Sequence, residues 1–306
     1  MRIVFCGNPE FALPTLNSLL ASQHDVIAVV TSPDQPKGRG RKLTPMPVKA
    51  FAMKKEIPVY SPERLKDASF LTALRELNSD ALVVVAFRIL PREMFALPKW
   101  GALNVHPSLL PLYRGPAPIQ WTLLRGETET GVTIIRLTEE IDGGGMLAQA
   151  RTTIAPDEDF GALHDRLAEI GADMLVSVLN RLDAGEQIAP LVQDESQVTT
   201  ARKLKPEDYI LDFGQPSSEI LRKIRAFSPS PGAIAKAQDS SLKILSADAE
   251  PSAGMIPPGQ VVFKQLVMYI GTADVPISLK KLKPAGKREM TVEEFLRGRP
   301  TLPDRF

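Results

Sequence analysis

Two polar side chains lie close together in the stretch GALNVHPSLLPLYRGPAPIQW, which covers residues 101–121. Asn104 and His106 are two positions apart, and because side chains alternate along an extended strand, both fall on the same face. Pro107 ends the strand, so the pair lies at its carboxyl end, where open α/β sheets bind ligands. An imidazole in that place can move a proton. The alternative is that both side chains only hydrogen-bond loop backbone.

Asp142, in the loop sequence EEIDGGG, is a carboxylate that could interact with the His106 imidazole. The three glycines that follow it permit positive φ and a close approach of the backbone to a ligand or neighbouring chain. Asp142 could orient His106 and stabilise its charged form. A loose surface loop remains the other interpretation of this pattern.

Other chemistries fit the sequence poorly. The first strand is followed by the single Gly7 rather than G-x-G-x-x-G, and neither a P-loop nor a G-x-S-x-G turn is present. His24 and His164 stand alone, and one cysteine, Cys6, excludes an internal disulfide and a cysteine-based metal site. We expect Cys6 to be a buried core thiol, and we expect no metal.

Short β-rich runs alternate with helical ones over the first half of the chain, an order that predicts a Rossmann-like, doubly wound, mostly parallel α/β sheet. A polar, irregular stretch follows, and then a helix and several short strands predict a small β-barrel of OB-like form. The predicted strands are 2–6, 26–31, 81–85, 101–106, 130–138 and 146–153 in the first domain and 242–246, 259–264, 266–271 and 276–282 in the second; the predicted helices are 14–21, 46–55, 64–77, 158–183 and 216–226. We predict a first domain at 1–188, a linker at 189–206 and a second domain at 207–306.

Composition is that of a globular protein, with 43% hydrophobic and 24% charged residues. No apolar run approaches the ~20 residues of a membrane span, and the N-terminus lacks the pattern of a secretory signal, so we expect a cytoplasmic protein. The net charge of +1 is unevenly distributed: residues 201–306 hold 17 Lys and Arg against 12 Asp and Glu. A basic second domain suits a polyanionic partner.

The chain resembles the 10-formyltetrahydrofolate-dependent formyltransferases, most closely those that act on methionyl-tRNA. The resemblance extends over nearly the whole chain, and HPSLLPxYRG is its most specific block. The other matching segments are GNPEFALPTL, SPDQPKGRGRKLTPMPVK, VVVAFRILP, GVTIIRLTEEIDGGGML, IRAFSPSPGA and LKPAGKREM.

The resemblance implies that Asn104, His106 and Asp142 are catalytic. Asn104 would hydrogen-bond the oxyanion of a tetrahedral intermediate, while His106, oriented by Asp142, would assist proton movement. The cosubstrate would be 10-formyltetrahydrofolate, with no metal. It would lie beside Asp142 and two segments whose members are Phe87, Arg88, Ile89, Leu90, Pro91, Ser108, Leu109, Leu110 and Pro111. Phe87-Arg88 replaces the more usual Tyr-Gly, and IDGGG replaces the more usual LDTGD.

A basic loop within residues 33–49, containing GRGRK, distinguishes between possible acceptors. By resemblance, this loop engages the acceptor arm of the initiator methionyl-tRNA, although such a run alone is more often a solvated loop. The cations that we expect to contact tRNA are Lys37, Arg39, Arg41, Lys42, Arg222, Lys281, Lys283, Lys287 and Arg288. We expect a monomer.

Two alternatives compete with this prediction. A formyltransferase acting on a nucleotide-linked amino sugar would share the first domain and its catalytic residues but would not require the basic loop. A non-enzymatic RNA-binding protein with a degenerate first domain is the other alternative, and the intact set of Asn104, His106 and Asp142 argues against it.

Overall fold

The computed structural model describes residues 1–37, 42–237, 240–298 and 303–306. Its contacts divide the chain into two compact units. The first consists of 1–118, 129–152 and 164–201, and the second of 119–128, 153–163 and 202–306. Within the described ranges, no helix combines the length and the apolar composition that a membrane span requires.

The first unit is built on a mostly parallel sheet in the order β5-β2-β1-β6-β7-β8-β9, with β3 and β4 as a separate antiparallel pair. Its strands are β1 Arg2–Gly7, β2 Asp25–Val30, β3 Gln35–Lys37, β4 Lys42–Thr44, β5 Val59–Tyr60, β6 Ala81–Val85, β7 Ala102–His106, β8 Glu129–Arg136 and β9 Met146–Thr153. The helices are α1 Leu13–Ala21, α2 Pro47–Lys54, α3 Ala68–Glu76 and α4 Arg92–Phe95. Two more, α5 Pro118–Arg125 and α6 Phe160–Asp183, run through both units.

The central strands are buried along nearly their whole length, because a parallel sheet is covered on both faces. All five residues of β6 (ALVVV) and the last five of β1 are buried, and Cys6 lies among them as a core thiol, as predicted. Burial raises the pKa of that thiol well above its usual range. The chain winds outward from β1 through β2 to β5, then returns to β6 on the other side of β1 and continues to β7. The carboxyl ends of these strands therefore form the edge at which such folds bind ligands.

Helix α6 lies close against β7, the strand that carries Asn104 and His106. A Cβ placed on Gly171 of α6 would be 2.5 Å from Cγ1 of Val105. Any side chain at Gly171 would therefore push the helix from the strand, so this glycine helps to fix the strand from behind.

The second unit contains an antiparallel sheet in the order β10-β11-β14-β13-β12, with β15 paired to β14. Helix α7 Ser217–Phe227 packs its apolar face, with Ile220, Ile224 and Phe227, into a core shared with this sheet. The strands are β10 Ala233–Lys236, β11 Ser241–Ala249, β12 Val261–Lys264, β13 Val267–Ile270, β14 Ile277–Pro284 and β15 Met290–Thr291, and the last helix is α8 Val292–Arg297.

The predicted fold class is confirmed: a doubly wound, mostly parallel α/β domain is followed by a small antiparallel β domain. β8 departs from the parallel pattern because it pairs antiparallel with β7. The predicted boundaries at residues 188 and 207 stay a prediction.

Asp274 connects the start of α7 to the sheet of the second unit. Its Oδ1 accepts hydrogen bonds from the backbone N–H groups of Ser217 (2.7 Å) and Val275 (2.6 Å). These bonds lower the pKa of the carboxyl to about 2, with the Ser217 bond as the larger cause.

We predict that Asp274→Asn lowers stability at neutral pH and that its effect fades in acid. Because the folded-state pKa lies below the unfolded value of about 3.9, the stabilisation is complete above that value and is lost as pH falls towards 2. Urea-unfolding midpoints at pH 7 and pH 3 measure this difference. The control is Glu219→Gln on the same helix, whose carboxylate makes no hydrogen bond to any described residue. A difference in urea-unfolding midpoint between Asp274→Asn and wild type that is equal at pH 7 and pH 3 would contradict the prediction.

Candidate active site

The strand β7 places Asn104 and His106 between β6 and β8. Asn104 pairs with Val84 on one side and Ile135 on the other, while His106 pairs with Thr133. His106 is 4% exposed, whereas Asn104 is half-buried. The amide of Asn104 hydrogen-bonds no side chain or backbone group in the described part of the chain, so it is left available to a ligand.

The imidazole of His106 has a different group opposite each ring nitrogen. Nε2 is 3.0 Å from the carbonyl oxygen of Tyr113, and Nδ1 is 3.7 Å from Oδ1 of Asp142. A carbonyl oxygen only accepts hydrogen bonds, so this contact requires the proton on Nε2. Nδ1 of the neutral ring then carries a lone pair and faces a carboxylate. Nδ1 is therefore the ring nitrogen available to accept a proton, and it lies on the side of the ring that faces Asp142.

The two residues that face the ring nitrogens of His106 both have a backbone in the left-handed region. Tyr113 has φ +63° and Asp142 has φ +52°. Such φ values are uncommon for residues other than glycine and are unfavourable for a bulky side chain such as tyrosine. Strain of this kind persists only where surrounding contacts enforce it, and it concentrates at functional sites.

The carboxylate of Asp142 is fixed by backbone. Its Oδ2 accepts a hydrogen bond from the N–H of Gly115 at 2.8 Å, and its side chain is 15% exposed. We expected the three glycines to supply positive φ, but in the structure Asp142 itself does so. Gly144 serves the predicted close approach: a Cβ there would lie 1.9 Å from the carbonyl oxygen of Arg136.

The segment Ser108–Pro111, predicted to bind folate, is shaped by hydrogen bonds within the first unit. The Ser108 hydroxyl donates to the carbonyl oxygen of Leu112 at 2.6 Å. Thr133 Oγ1 donates to the Ser108 carbonyl at 2.7 Å and accepts from the Leu110 N–H at 3.2 Å. Ser108 and Leu110 are buried, so Leu109 and Pro111 are the more accessible members.

The second predicted folate segment, residues 87–91, follows β6. Ile89 is 75% exposed, whereas Leu90 is buried. Arg88 lies over the Phe87 ring at 5.2 Å, and its Nη1 and Nη2 donate to the backbone carbonyls of Glu63 and Pro62. Its Nε is buried without a partner among the described atoms, and burial lowers the pKa of the guanidinium. The folate contacts of both segments stay a prediction.

Sequence reasoning missed a layer of residues behind Asp142. Arg114 is 7% exposed, and its guanidinium contacts Glu140, Glu195 and Gln193. Gln193 and Thr199 lie in the stretch predicted to be an irregular linker; in the structure this stretch pairs with residues 113–117 of the first unit. The only sequence signal was an Arg within the HPSLLPLYRG block, and nothing in the sequence connected it to Gln193.

The basic loop is described only in part. The backbones of Lys37 and Lys42 pair across the β3–β4 hairpin, while their side chains, together with Arg39 and Arg41, lie outside the described residues. Next to the hairpin, Lys49 Nζ is 2.7 Å from Oδ1 of Asp34.

The predicted cations of the second unit do not share one environment. Arg222 of α7 and Lys281 of β14 line the same groove of about 730 Å³, and Lys281 also faces Glu289 at 3.9 Å. Arg288 pairs with Glu294 at 3.0 Å. Lys283 shares the exposed face of β14 with Lys281, because buried Leu282 lies between them. Lys283 and Lys287 form no ion pair within the described ranges.

Both parts of the chain match family models. The formyl transferase model matches residues 1–179, and the model of the formyl transferase C-terminal domain matches residues 203–300. The chain belongs to the formyl transferase family.

Within that family, the chain is similar to the methionyl-tRNA formyltransferase of Methylococcus capsulatus, with 41% identity over 97% of this chain and 96% of the relative. Two solved structures share the fold at lower identity. HypX from Aquifex aeolicus, in complex with tetrahydrofolic acid, has a TM-score of 0.69 and 19% identity over 97% of this chain and 47% of that chain. An N-formyltransferase from Helicobacter canadensis, in complex with folinic acid and dTDP-3-aminofucose, has a TM-score of 0.65 and 18% identity over 90% of this chain and 98% of that chain.

We predict that Gly144→Ala damages the site more than Gly143→Ala does. A Cβ added at Gly144 would meet the rigid backbone carbonyl of Arg136, whereas a Cβ added at Gly143 would meet the exposed side chain of Glu140, which can move at the cost of its contact with Arg114. Gly144→Ala should cost about 1–3 kcal/mol of stability and reduce formyl-transfer turnover, as overpacking does. Urea unfolding and turnover of the two variants measure this contrast, and equal effects would contradict it.

Proposed function

We propose that this chain transfers the formyl group of 10-formyltetrahydrofolate to the α-amino group of methionyl-initiator tRNA. One observation carries the proposal: the 41% identity to a methionyl-tRNA formyltransferase extends over 97% of the chain and so includes both domains. The site geometry supports it, because β7 presents an amide that hydrogen-bonds no described residue beside a buried imidazole that faces a carboxylate.

The reaction begins when the amine lone pair attacks the formyl carbon and the carbonyl electron pair moves to oxygen. Asn104, whose side chain has no partner in the described structure, would donate a hydrogen bond to that oxyanion. The attacking nitrogen must lose a proton, and Nδ1 of His106 would accept it opposite Asp142. Collapse of the intermediate breaks the bond to N10 of the folate; N10 would take up the proton that His106 had accepted, and tetrahydrofolate leaves.

The nucleophile needs little activation. A free α-amino group has a pKa of about 7.7–8.0, so a useful fraction is neutral near pH 7. The protein must therefore orient the two substrates, stabilise the oxyanion and remove one proton, all of which protein groups can do.

The folate would lie beside residues 87–91, residues 108–111 and Asp142. Exposed Ile89 and the accessible members of the second segment, Leu109 and Pro111, offer apolar surface there. Arg88 is less suited to contact the folate directly, since both its terminal nitrogens already donate to backbone.

The acceptor would be held by positive charge. Residues 201–306 carry a net excess of Lys and Arg, and the GRGRK sequence, residues 38–42, follows β3 and includes the first residue of β4. Cations of this kind neutralise phosphates, so binding should weaken as salt rises. We further propose that the enzyme acts as a monomer in the cytoplasm, where initiator tRNA is used.

An amino-sugar acceptor is the second candidate. The enzyme from Helicobacter canadensis, solved with dTDP-3-aminofucose, has the same fold over 98% of its length. At 18% identity this likeness concerns the fold alone, and such an acceptor gives no use for the basic loop.

The test supplies purified protein with 10-formyltetrahydrofolate and one acceptor at a time, and follows release of tetrahydrofolate. The acceptors are methionyl-charged initiator tRNA, methionyl-charged elongator tRNA and a nucleotide-linked amino sugar. Turnover confined to the initiator tRNA supports the proposal. Turnover with the sugar alone would overturn the acceptor but retain the chemistry, and no turnover with any acceptor would overturn the proposal.

We predict that His106→Ala and Asn104→Ala each reduce turnover while tRNA affinity stays within a few-fold of wild type. Loss of the oxyanion donor should cost about 10²- to 10³-fold, and loss of the proton acceptor about 10²- to 10⁴-fold. Single-turnover kinetics and filter binding measure the two effects separately. Near-normal turnover in either variant would remove that residue from the mechanism.

We predict that replacing Arg39, Arg41 and Lys42 together by Ala weakens use of methionyl-tRNA and flattens its salt dependence, while folate binding is unchanged. Each phosphate contact that is lost should reduce the slope of log K against log [salt] by about 0.7–0.9. The matched control removes three exposed cations elsewhere, Lys54, Lys55 and Arg75. An unchanged slope in the loop variant would exclude the loop from tRNA binding.

A further inference from the structure

The buried amide of Gln193 uses both of its N–H donors and its carbonyl oxygen behind the Asp142 loop. Its Nε2 donates to the backbone carbonyls of Asp142 (2.7 Å) and Gly144 (2.8 Å), and its Oε1 accepts from Nε of Arg114 at 3.0 Å. The orientation of the amide is unambiguous, because two carbonyls can only accept and a guanidinium can only donate. The residue is 5% exposed, so water cannot readily replace these bonds.

Arg114 donates a hydrogen bond to the amide oxygen of Gln193. Along the chain, Arg114 lies between the two residues whose backbone contacts His106 and Asp142. The preceding residue, Tyr113, presents its carbonyl to His106, and the following residue, Gly115, donates its N–H to Asp142. The guanidinium itself is held by Glu140 at 2.6 Å and Glu195 at 2.7 Å. One short segment therefore connects both members of the pair to Gln193.

We propose that Gln193 is a positioning residue, which sets the conformation of the Asp142 loop and thereby the distance between Asp142 and His106. The inference rests on the proposed function, in which that carboxylate stabilises a proton on His106. Gln193 touches neither of the reacting side chains, and it acts through the backbone of residues 142–144.

The loop requires such a restraint for two reasons. Asp142 has an unfavourable φ of +52°, and the three glycines that follow it give the backbone many alternative conformations. The gap of 3.7 Å between Nδ1 and Oδ1 is already longer than a hydrogen bond. A further drift of the loop would leave the proton on His106 without its partner, and misplacement by about 1 Å can cost about 10²-fold in rate.

The principal test compares Gln193→Ala with Gln193→Glu and with the control Gln197→Ala. The Glu variant keeps the side-chain volume and the acceptor for Arg114, but its carboxylate has no hydrogen to donate to the carbonyls of Asp142 and Gly144. Gln197 is an exposed residue of the same segment, and among the described residues its side-chain amide hydrogen-bonds only Asp194. We expect kcat to fall about 10- to 100-fold in both Gln193 variants, with KM for both substrates within about twofold of wild type. The control should match wild type.

A double-variant cycle decides whether the effect passes through Asp142. In the Asp142→Ala background, Gln193→Ala should reduce kcat by less than about twofold, because the carboxylate that it positions is gone. Effects that multiply in the double variant would overturn the proposal, as would full kcat in Gln193→Glu.

Amide hydrogen exchange supplies a readout that does not depend on turnover. Exchange at Gly143 and Met146, whose N–H groups donate to the carbonyls of Glu140 and Leu191, should accelerate about tenfold or more in Gln193→Ala, while exchange in β1 and β6 stays as in wild type. Unchanged exchange at the loop would overturn the Gln193 proposal even if the enzyme is active. If the wild-type protein is inactive with every acceptor but Gln193→Ala still accelerates exchange in the loop, the proposed function is overturned. The proposed role of Gln193 in holding the loop is then retained.

Discussion

A buried imidazole at the end of a buried strand is the constraint around which the first unit is arranged. His106 is 4% exposed, so its two ring nitrogens face groups of the protein. Nε2 hydrogen-bonds the carbonyl of a tyrosine in the left-handed region, and Nδ1 faces, at 3.7 Å, the carboxylate of an aspartate in the same region. The surroundings of one side chain therefore involve two loops with an unfavourable backbone conformation, and these loops in turn require the supports behind them.

The elements that carry the chemistry were predictable because they follow local rules. Continuous apolar runs such as ALVVV identify buried parallel strands, and alternation along β7 assigns Asn104 and His106 to one face. The sheet edge at which that face ends follows from the strand–helix order alone. The residues alone predicted a contact between Asp142 and His106 as only one of two interpretations of the glycine-rich loop. The family resemblance favoured that interpretation.

The supports of the site were not predictable, for a different physical reason. Gln193 is 79 positions away from Arg114 along the chain, and no periodicity connects an amide in a polar stretch with a guanidinium in a loop. The segment around it is predicted to be a linker because polar, irregular sequence usually is one. Gln193, Glu195 and Thr199 of this segment contact groups of the first unit, and the sequence pattern does not reveal these contacts. The positive φ of Asp142 likewise depends on tertiary contacts. From the sequence, a positive φ was expected at the adjacent glycines rather than at Asp142.

The return of residues 189–201 to the first unit has a practical consequence for anyone dividing this chain. A fragment cut at residue 188 would retain Asn104, His106 and Asp142 but would lack Gln193, Thr199 and the edge that pairs with residues 113–117. It would also contain residues 119–128 and 153–163, whose contacts belong to the second unit. A single cut thus separates the candidate catalytic residues from the segment that holds their loops in place. Inactivity of such a fragment would therefore not show that Asn104, His106 and Asp142 had been wrongly assigned.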